Sequence, residues 1–305
     1  GDNTAVDFTL SFTPQVSTPE AFLVTIDGVV QKPTTAYTIH PDTPKITFTS
    51  APPTSAVINV VAISKSSTSA DSTTVKATGS TTARSLAARV ADVINILDYG
   101  ASTSNTAAAN TTAIDAAITS ALSTGKPVYV PIGVFECNAI TVDFSGAKHF
   151  KISGQVGGRA GELLTAGVSC LDFTGLSGSG KGLSFPSTSA EEYMGLHIQD
   201  LELRGPSLQA GPSPSTNTTG LYINKGRDVI LDNVHITEFR TGLHATNTWS
   251  WHDQNCKIAR CHVGAKFDAS ATYGAQAALH TKLKVNDCTY GVLQESSGHT
   301  YLDPW

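Results

Sequence analysis

The densest group of chemically capable residues is Asn247-Thr248-Trp249-Ser250-Trp251-His252-Asp253-Gln254-Asn255, which holds two of the chain's three tryptophans, a histidine and a carboxylate. Indole rings present broad apolar faces with one polar handle. They can stack on sugar rings while His252 and Asp253 hydrogen-bond hydroxyls. If the segment is extended, Trp249, Trp251 and Asp253 share one face, and Ser250 and His252 share the other. The segment is therefore a candidate carbohydrate-contact strand, with Arg240 as a partner for an acidic sugar. The same tryptophans would equally fill a core or a subunit interface.

Carboxylates are numerous: Asp172, Glu191, Glu192, Asp200, Glu202, Asp232, Glu238, Asp253, Asp268 and Glu295. A glycosidase needs two of them, about 5 Å apart to retain configuration or about 6.5–9.5 Å apart to invert it. Neighbouring parallel strands lie about 4.8 Å apart, so stacked positions could meet either requirement. Spacing alone does not select the pair. A lyase needs a base beside a charge-neutralising group, for which Arg240, His244, His252 and Lys266 are available. His197 and His244 each follow Gly-Leu and read as outward-facing strand residues rather than metal ligands. Gly178-Ser179-Gly180-Lys181 lacks the first glycine and the following helix of a phosphate-binding loop. No metal-ligand spacing, cofactor fingerprint or distinctive Ser/His/Asp order occurs, so the catalytic residues stay unassigned and no metal or cofactor is expected.

Only 15% of the 305 residues are charged, and glycine (26) is abundant beside many Ser, Thr, Ala and Val. That balance suits strands joined by tight turns. A net charge of −5 gives no basic footprint for nucleic acid. No apolar run approaches a membrane span of about 20 residues. Cys137, Cys170, Cys256, Cys261 and Cys288 are odd in number and lack a CxxC pair. They read as buried thiols of a protein folded in a reducing cytoplasm. With Gly1 first and no signal peptide, the chain reads as a processed piece of a longer product.

Residues 1–64 read as a small β domain. Val6, Phe8, Leu10 and Phe12 alternate with polar residues, and Asp27-Gly28 between Leu23–Ile26 and Val29-Val30 is a type I′ hairpin signal. Residues 65–81 form a Ser/Thr-rich linker. A neck helix over 82–92 then carries Leu86, Val90 and Val93 on one stripe. Eleven residues make a marginal helix alone, so the stripe is expected to meet the same helix of other subunits. From residue 93 a strand, a Tyr99-Gly100-Ala101 turn, an amphipathic helix and the strand Pro127–Phe135 follow. The helix carries Ile114, Ala117, Ile118, Ala121 and Leu122, a Thr112/Asp115 capping box and a Gly125 stop. It is expected to cover the open end of the main domain.

Beyond residue 150, units beginning at Ile198, Leu231, Ile258 and Val285 recur at steps of 33, 27 and 27 residues. Gly195, Gly220, Gly242, Gly264 and Gly291 each precede an apolar residue. Such recurrence predicts stacked layers, with Leu231, Ile258 and Val285 in one interior column. The longer step absorbs an insertion, 206–219, read as a protruding loop.

The strand-turn-helix-strand order around residues 93–135 resembles the start of the pectate-lyase-like right-handed β-helix found in bacteriophage tailspikes. Residues 1–64 resemble the small β module near the start of many phage tail fibres. The resemblance implies an all-β chain: a β-sandwich-like module (1–64), a linker and neck helix (65–92), and a parallel β-helix with a capping helix (93–305). It implies a homotrimeric virion protein, assembled in the bacterial cytoplasm, with phage tail or baseplate proteins and host surface polysaccharide as partners. Capsule or O-antigen would be bound and, by the complete protein, depolymerised. A non-catalytic fibre with the same fold is the alternative. A free bacterial polysaccharidase would need neither adaptor nor neck. The turn lacks the acidic Gly-Asp-Gly run of many relatives, and the calcium-binding aspartates of pectate lyases find no match.

Overall fold

The computed structural model describes residues 1–14, 18–40, 43–63, 74–75, 81–142, 149–155, 167–187, 194–207, 217–269 and 276–302. The linker over 65–81 and the 206–219 insertion lie mostly outside these residues. The chain divides into two compact units, Gly1–Arg89 and Val90–Trp305. In the first, two three-stranded antiparallel sheets share a core of Phe22, Val24, Tyr37, Ile39, Ile46 and Phe48. Strands Phe22–Ile26 and Val29–Val30 form the expected hairpin, with positive φ at Asp27 (49°) and Gly28 (81°) as a type I′ turn requires. Alternation buries Phe22 and Val24, while Leu23, paired with Val61, faces solvent.

The neck helix is shorter than expected. Only Leu86–Val90 (α1) is helical, and Leu86, Val90 and Val93 are exposed. The Thr112 capping box is also corrected. The long helix, α2, runs Ala107–Thr124, with Thr106 as its N-cap and Thr112 donating to the Ala108 carbonyl. Gly125 (φ 69°) ends it as expected. Its buried side packs on strands Ile94–Asn95 and Val128–Tyr129, the first two of one sheet, and on Gly133–Glu136 and Ile140–Thr141, which begin two others. Buried Asn110 fastens the preceding turn. Its Oδ1 accepts from the Ser102 amide at 2.9 Å, and its Nδ2 donates to the Glu136 carbonyl at 3.1 Å.

The strands that follow visit three sheets in rotation, and each pairs in parallel with the strand three later. Sheet I has eight strands: Ile94–Asn95, Val128–Tyr129, His149–Ser153, Met194–Gln199, Gly226–Asp232, Trp249–Gln254, Gln276–Thr281 and His299–Leu302. Sheet II has six, Gly133–Glu136 to Lys284–Asn286, and sheet III has six, Ile140–Thr141 to Tyr290–Gln294. The expectation of a single right-handed β-helix is corrected accordingly. The chain is all-β with few helices, built on three large parallel sheets.

The expected column is corrected too. Leu231 stacks between Ile198 and Asp253 in sheet I, whereas Ile258 and Val285 stack on Ile236 in sheet II. Both sets obey the same apolar-polar-polar-apolar pattern, because both precede a tight corner. Those corners use left-handed residues: Asp200, Asn233, Asn255 and Lys282 follow sheet I, while Glu238, Arg260 and Asp287 follow sheet II, all with φ between 51° and 67°. Of the glycines read as layer starts, Gly195 lies in sheet I. The others stack with Gly182 in sheet III. A Cβ at Gly220, Gly242 or Gly264 would fall 2.6–2.7 Å from the carbonyl oxygen of the next glycine up the column.

Candidate functional site

Sheet I turns outward the row Lys151, His197, Ile230, His252, Leu279, Thr300. Its first three members line a groove of about 430 Å³, together with Lys126, His149 and Asp228. Gly195 leaves room for the His149 ring, since a Cβ there would stand 2.2 Å from His149 Nδ1. Ile230, 40% exposed, supplies an apolar floor. Burial and the neighbouring Lys151 charge hold His197 below the usual histidine range. It is therefore a neutral imidazole at pH 7, able to donate and accept. Lys126 and Lys151 supply ammonium groups, and Lys151 reaches Gln199 Oε1 at 3.3 Å. An open groove with imidazoles, ammonium groups and one apolar patch suits an acidic, hydroxyl-rich ligand.

On sheet II the outward residues of the middle strands are buried, whereas Glu136, Lys284 and Asn286 on the end strands are exposed. Cys170, Glu202 and His235 form one row, and Asp172, Arg204 and Thr237 the next. Arg204 joins the two carboxylates, with Nη2 2.9 Å from Glu202 Oε1 and Nη1 3.6 Å from Asp172 Oδ2. Burial raises the Glu202 carboxyl despite Arg204. Burial, with the Lys257 charge, depresses His235 to about 4. Glu202 Oε2, Thr237 Oγ1 and both ring nitrogens of His235 are buried and have no hydrogen-bond partner among the described residues.

Sheet III presents titratable groups on neighbouring layers: Tyr222, His244 and Lys266 occupy paired positions, and Thr246 pairs with Asp268. His244 Nε2 lies 3.0 Å and Lys266 Nζ 2.9 Å from Asp268 Oδ2. Tyr222 meets His244 edge-on, and Lys181 Nζ sits 3.3 Å from the centre of its ring. Burial raises Asp268, but hydrogen bonds from Thr246, Lys266 and His244 outweigh it and hold the group below its ordinary value. Burial and the Asp268 charge raise Tyr222. A carboxylate-oriented imidazole between a phenol and an ammonium can move protons to and from a sugar.

The tryptophan-rich segment is the strand Trp249–Gln254, as the sequence suggested, but its faces differ in role. Trp251 (2% exposed) and Asp253 (0%) point into the core, where indole Nε1 donates to Asp253 Oδ2 at 2.6 Å. These two are interior residues, because Trp251 continues the inward row of Leu196 and Val229, and Asp253 that of Ile198 and Leu231. Trp249 is half-buried, and His252 is half-buried in the outward row. Arg240 belongs to the corner leading into sheet III, with its carbonyl bonded to the Val263 amide. Of the bases considered from sequence, only His244 and Lys266 are brought together. His149, Lys151, Tyr222 and Asp268 gain their roles from layer-to-layer pairing. The polar-apolar alternation of His149-Phe150-Lys151-Ile152 was the available signal for two of them. Among the described residues no group of three or more His, Cys, Asp or Glu could hold a metal ion.

No protein-family model and no curated protein matches the chain. Solved structures do. DFA-IIIase from Arthrobacter chlorophenolicus A6, in complex with GF2, is 13% identical with a TM-score of 0.51, over 64% of this chain and 53% of that one. Geobacillus virus E2 ORF18 is 12% identical with a TM-score of 0.45, over 67% and 49%. The Acinetobacter phage vb_AbaP_AS12 gp42 tailspike is 11% identical with a TM-score of 0.32, over 64% and 40%. At these identities the likeness to the DFA-IIIase is one of fold. The chain spans about half the length of the first two structures.

Proposed function

We propose that the chain is part of a bacteriophage tailspike that binds acidic host surface polysaccharide along sheet I. The observation that carries this reading is the open groove of Lys126, His149, Lys151, His197 and Ile230. It offers an apolar floor, the His197 imidazole and the Lys126 and Lys151 cations to a negatively charged sugar chain, against the single opposing charge of Asp228. The Trp249–Gln254 strand extends the same face through His252. The test is binding of the intact protein to a panel of acidic and neutral bacterial polysaccharides. Lys151→Ala with His197→Ala should weaken binding to an acidic member at least about tenfold. Failure to bind any member, or binding unaffected by the double change, overturns the proposal.

The sheet III row supports depolymerisation by the complete protein, with His244 and Tyr222 moving protons. New reducing ends that persist in His244→Ala would remove this row from the chemistry, and none from the wild type would leave the non-catalytic fibre as the better reading. For the first unit, exposed Leu23, Val29, Val30, Val57, Val61 and Ile63 support docking to another tail protein. For the neck, the exposure of Leu86, Val90 and Val93 supports a homotrimer in the virion. Light scattering should give three times the chain mass, falling to one in Leu86→Asp/Val90→Asp. A stable wild-type monomer refutes it.

A further inference from the structure

Towards its last described layers, sheet I exchanges an aliphatic interior for a polar one. One inward row runs Ile152, Ile198, Leu231 and then Asp253, His280, Tyr301; the other runs Leu196, Val229, Trp251, Ala278, His299. Asp253 Oδ2 holds His280 Nδ1 at 2.5 Å, His280 Nε2 meets His299 Nδ1 at 2.9 Å, and His299 Nε2 meets Ser296 Oγ at 2.8 Å. The two imidazoles are parallel within 3°, and Tyr301 stacks on His280. Asp253 and His280 are buried, whereas His299 and Ser296 are half-exposed.

We propose that Ser296 is the nucleophile of a carboxylic-ester hydrolase site, served by a relay of His299, His280 and Asp253. Hydrogen bonding fixes the direction of the chain. Asp253 is positioned as an acceptor by the Trp251 indole N–H, so His280 presents its Nδ1–H to it and leaves Nε2 to accept. His299 then donates through Nδ1 and offers its Nε2 lone pair to the Ser296 hydroxyl. Burial and neighbouring His280 depress His299 to about 4, so it is neutral and able to accept at pH 7.

In the reaction, Ser296 Oγ bonds to the acyl carbon while its proton passes to His299 Nε2. The His299 Nδ1 proton moves on to His280 Nε2, so the positive charge comes to rest beside Asp253 rather than on His299. Reversal of the relay delivers the proton to the departing alcohol oxygen as its bond to the acyl carbon breaks. Water then attacks the acyl-serine, losing a proton along the same path, and releases a carboxylic acid and free Ser296. Ester and water become acid and alcohol, with no other reactant. The half-buried position of Ser296 favours small acyl groups such as acetyl. In this arrangement Ser296 and His299 are catalytic, while His280 and Asp253 are positioning residues.

The test is labelling of the full chain with a fluorophosphonate, together with hydrolysis of an aryl acetate. Covalent label should map to Ser296. Hydrolysis should fall at least about a hundredfold in Ser296→Ala, remain in Ser297→Ala and disappear as pH falls through about 4. Asp253→Asn should depress the rate and shift its pH profile, which a purely structural role would not do. An unlabelled wild type, label on another residue, or hydrolysis retained in Ser296→Ala overturns the proposal. Polysaccharide binding at sheet I, measured separately, is unaffected by either outcome.

Discussion

Replacing His235 with Leu should remove a defined share of the protein's sensitivity to acid. The imidazole is 3% exposed, neither ring nitrogen has a partner among the described residues, and burial depresses its pKa to about 4. The folded state therefore prefers the neutral ring, whereas the unfolded chain titrates near the ordinary value of about 6.5. Stability from this preference is complete above about pH 6.5 and lost as pH falls towards about 4, the folded value. A separation of about 2.5 units gives a loss of about 2 kcal/mol between pH 7.5 and pH 5, and about 3 kcal/mol by pH 4. Urea unfolding of wild type and His235→Leu at pH 7.5 and 5.0 isolates it, because the other titrating groups appear in both proteins. The wild type should lose about 2 kcal/mol more than the variant. Equal losses would refute the reasoning, since His235 would then titrate alike in both states.

Gly242→Ala should cost about 1–3 kcal/mol in thermal unfolding, because the added carbon would meet Ile258 Cγ2 at 2.4 Å and the Gly264 carbonyl oxygen at 2.7 Å. Arg204→Met should cost about 3–5 kcal/mol in urea unfolding by leaving buried Glu202 and Asp172 without their shared cation. Restoring neutrality with Glu202→Gln should recover part of it. Asp268→Asn should lower the pH at which Tyr222 ionises, since burial and the Asp268 charge together raise it. Ultraviolet titration of the variant, with Tyr222→Phe as its control, checks this.

Much of the fold was legible because local chemistry declared it. Asp27-Gly28 specified its hairpin, Gly125 stopped α2, and the sheet I corners carry Asp200, Asn233 and Asn255 where left-handed backbone is least costly. What failed was assignment across sheets. Leu231 and Ile258 share one sequence pattern because both precede a corner, and nothing local tells the corner of sheet I from that of sheet II. The site suffered likewise. Alternation placed Trp251 and Asp253 together on one face, but only the Trp251–Val229 and Asp253–Leu231 pairings show that this face is the interior. Asp172 and Glu202, 30 residues apart, were two carboxylates among many until Arg204 joined them. Thr112 misled because a capping box can occur within a helix. Thr106, earlier and without an acidic partner, is the true cap.

The change from aliphatic to polar interior along sheet I also bears on how the molecule comes apart. Each strand is hydrogen-bonded chiefly to its counterparts in the neighbouring layers, so opening can travel layer by layer rather than all at once. The first layers are sealed by α2 over Ile94, Val128 and Val130. The last described layers are held by directional bonds among Asp253, His280, His299 and Ser296, which water can replace once it enters. Amide protons should therefore exchange along a gradient, slowest in Val128–Tyr129 and His149–Ser153, fastest in His299–Leu302. Under a pulling force the layers joined by those polar bonds would yield before the layers packed on α2, which makes the stack a spring of graded stiffness.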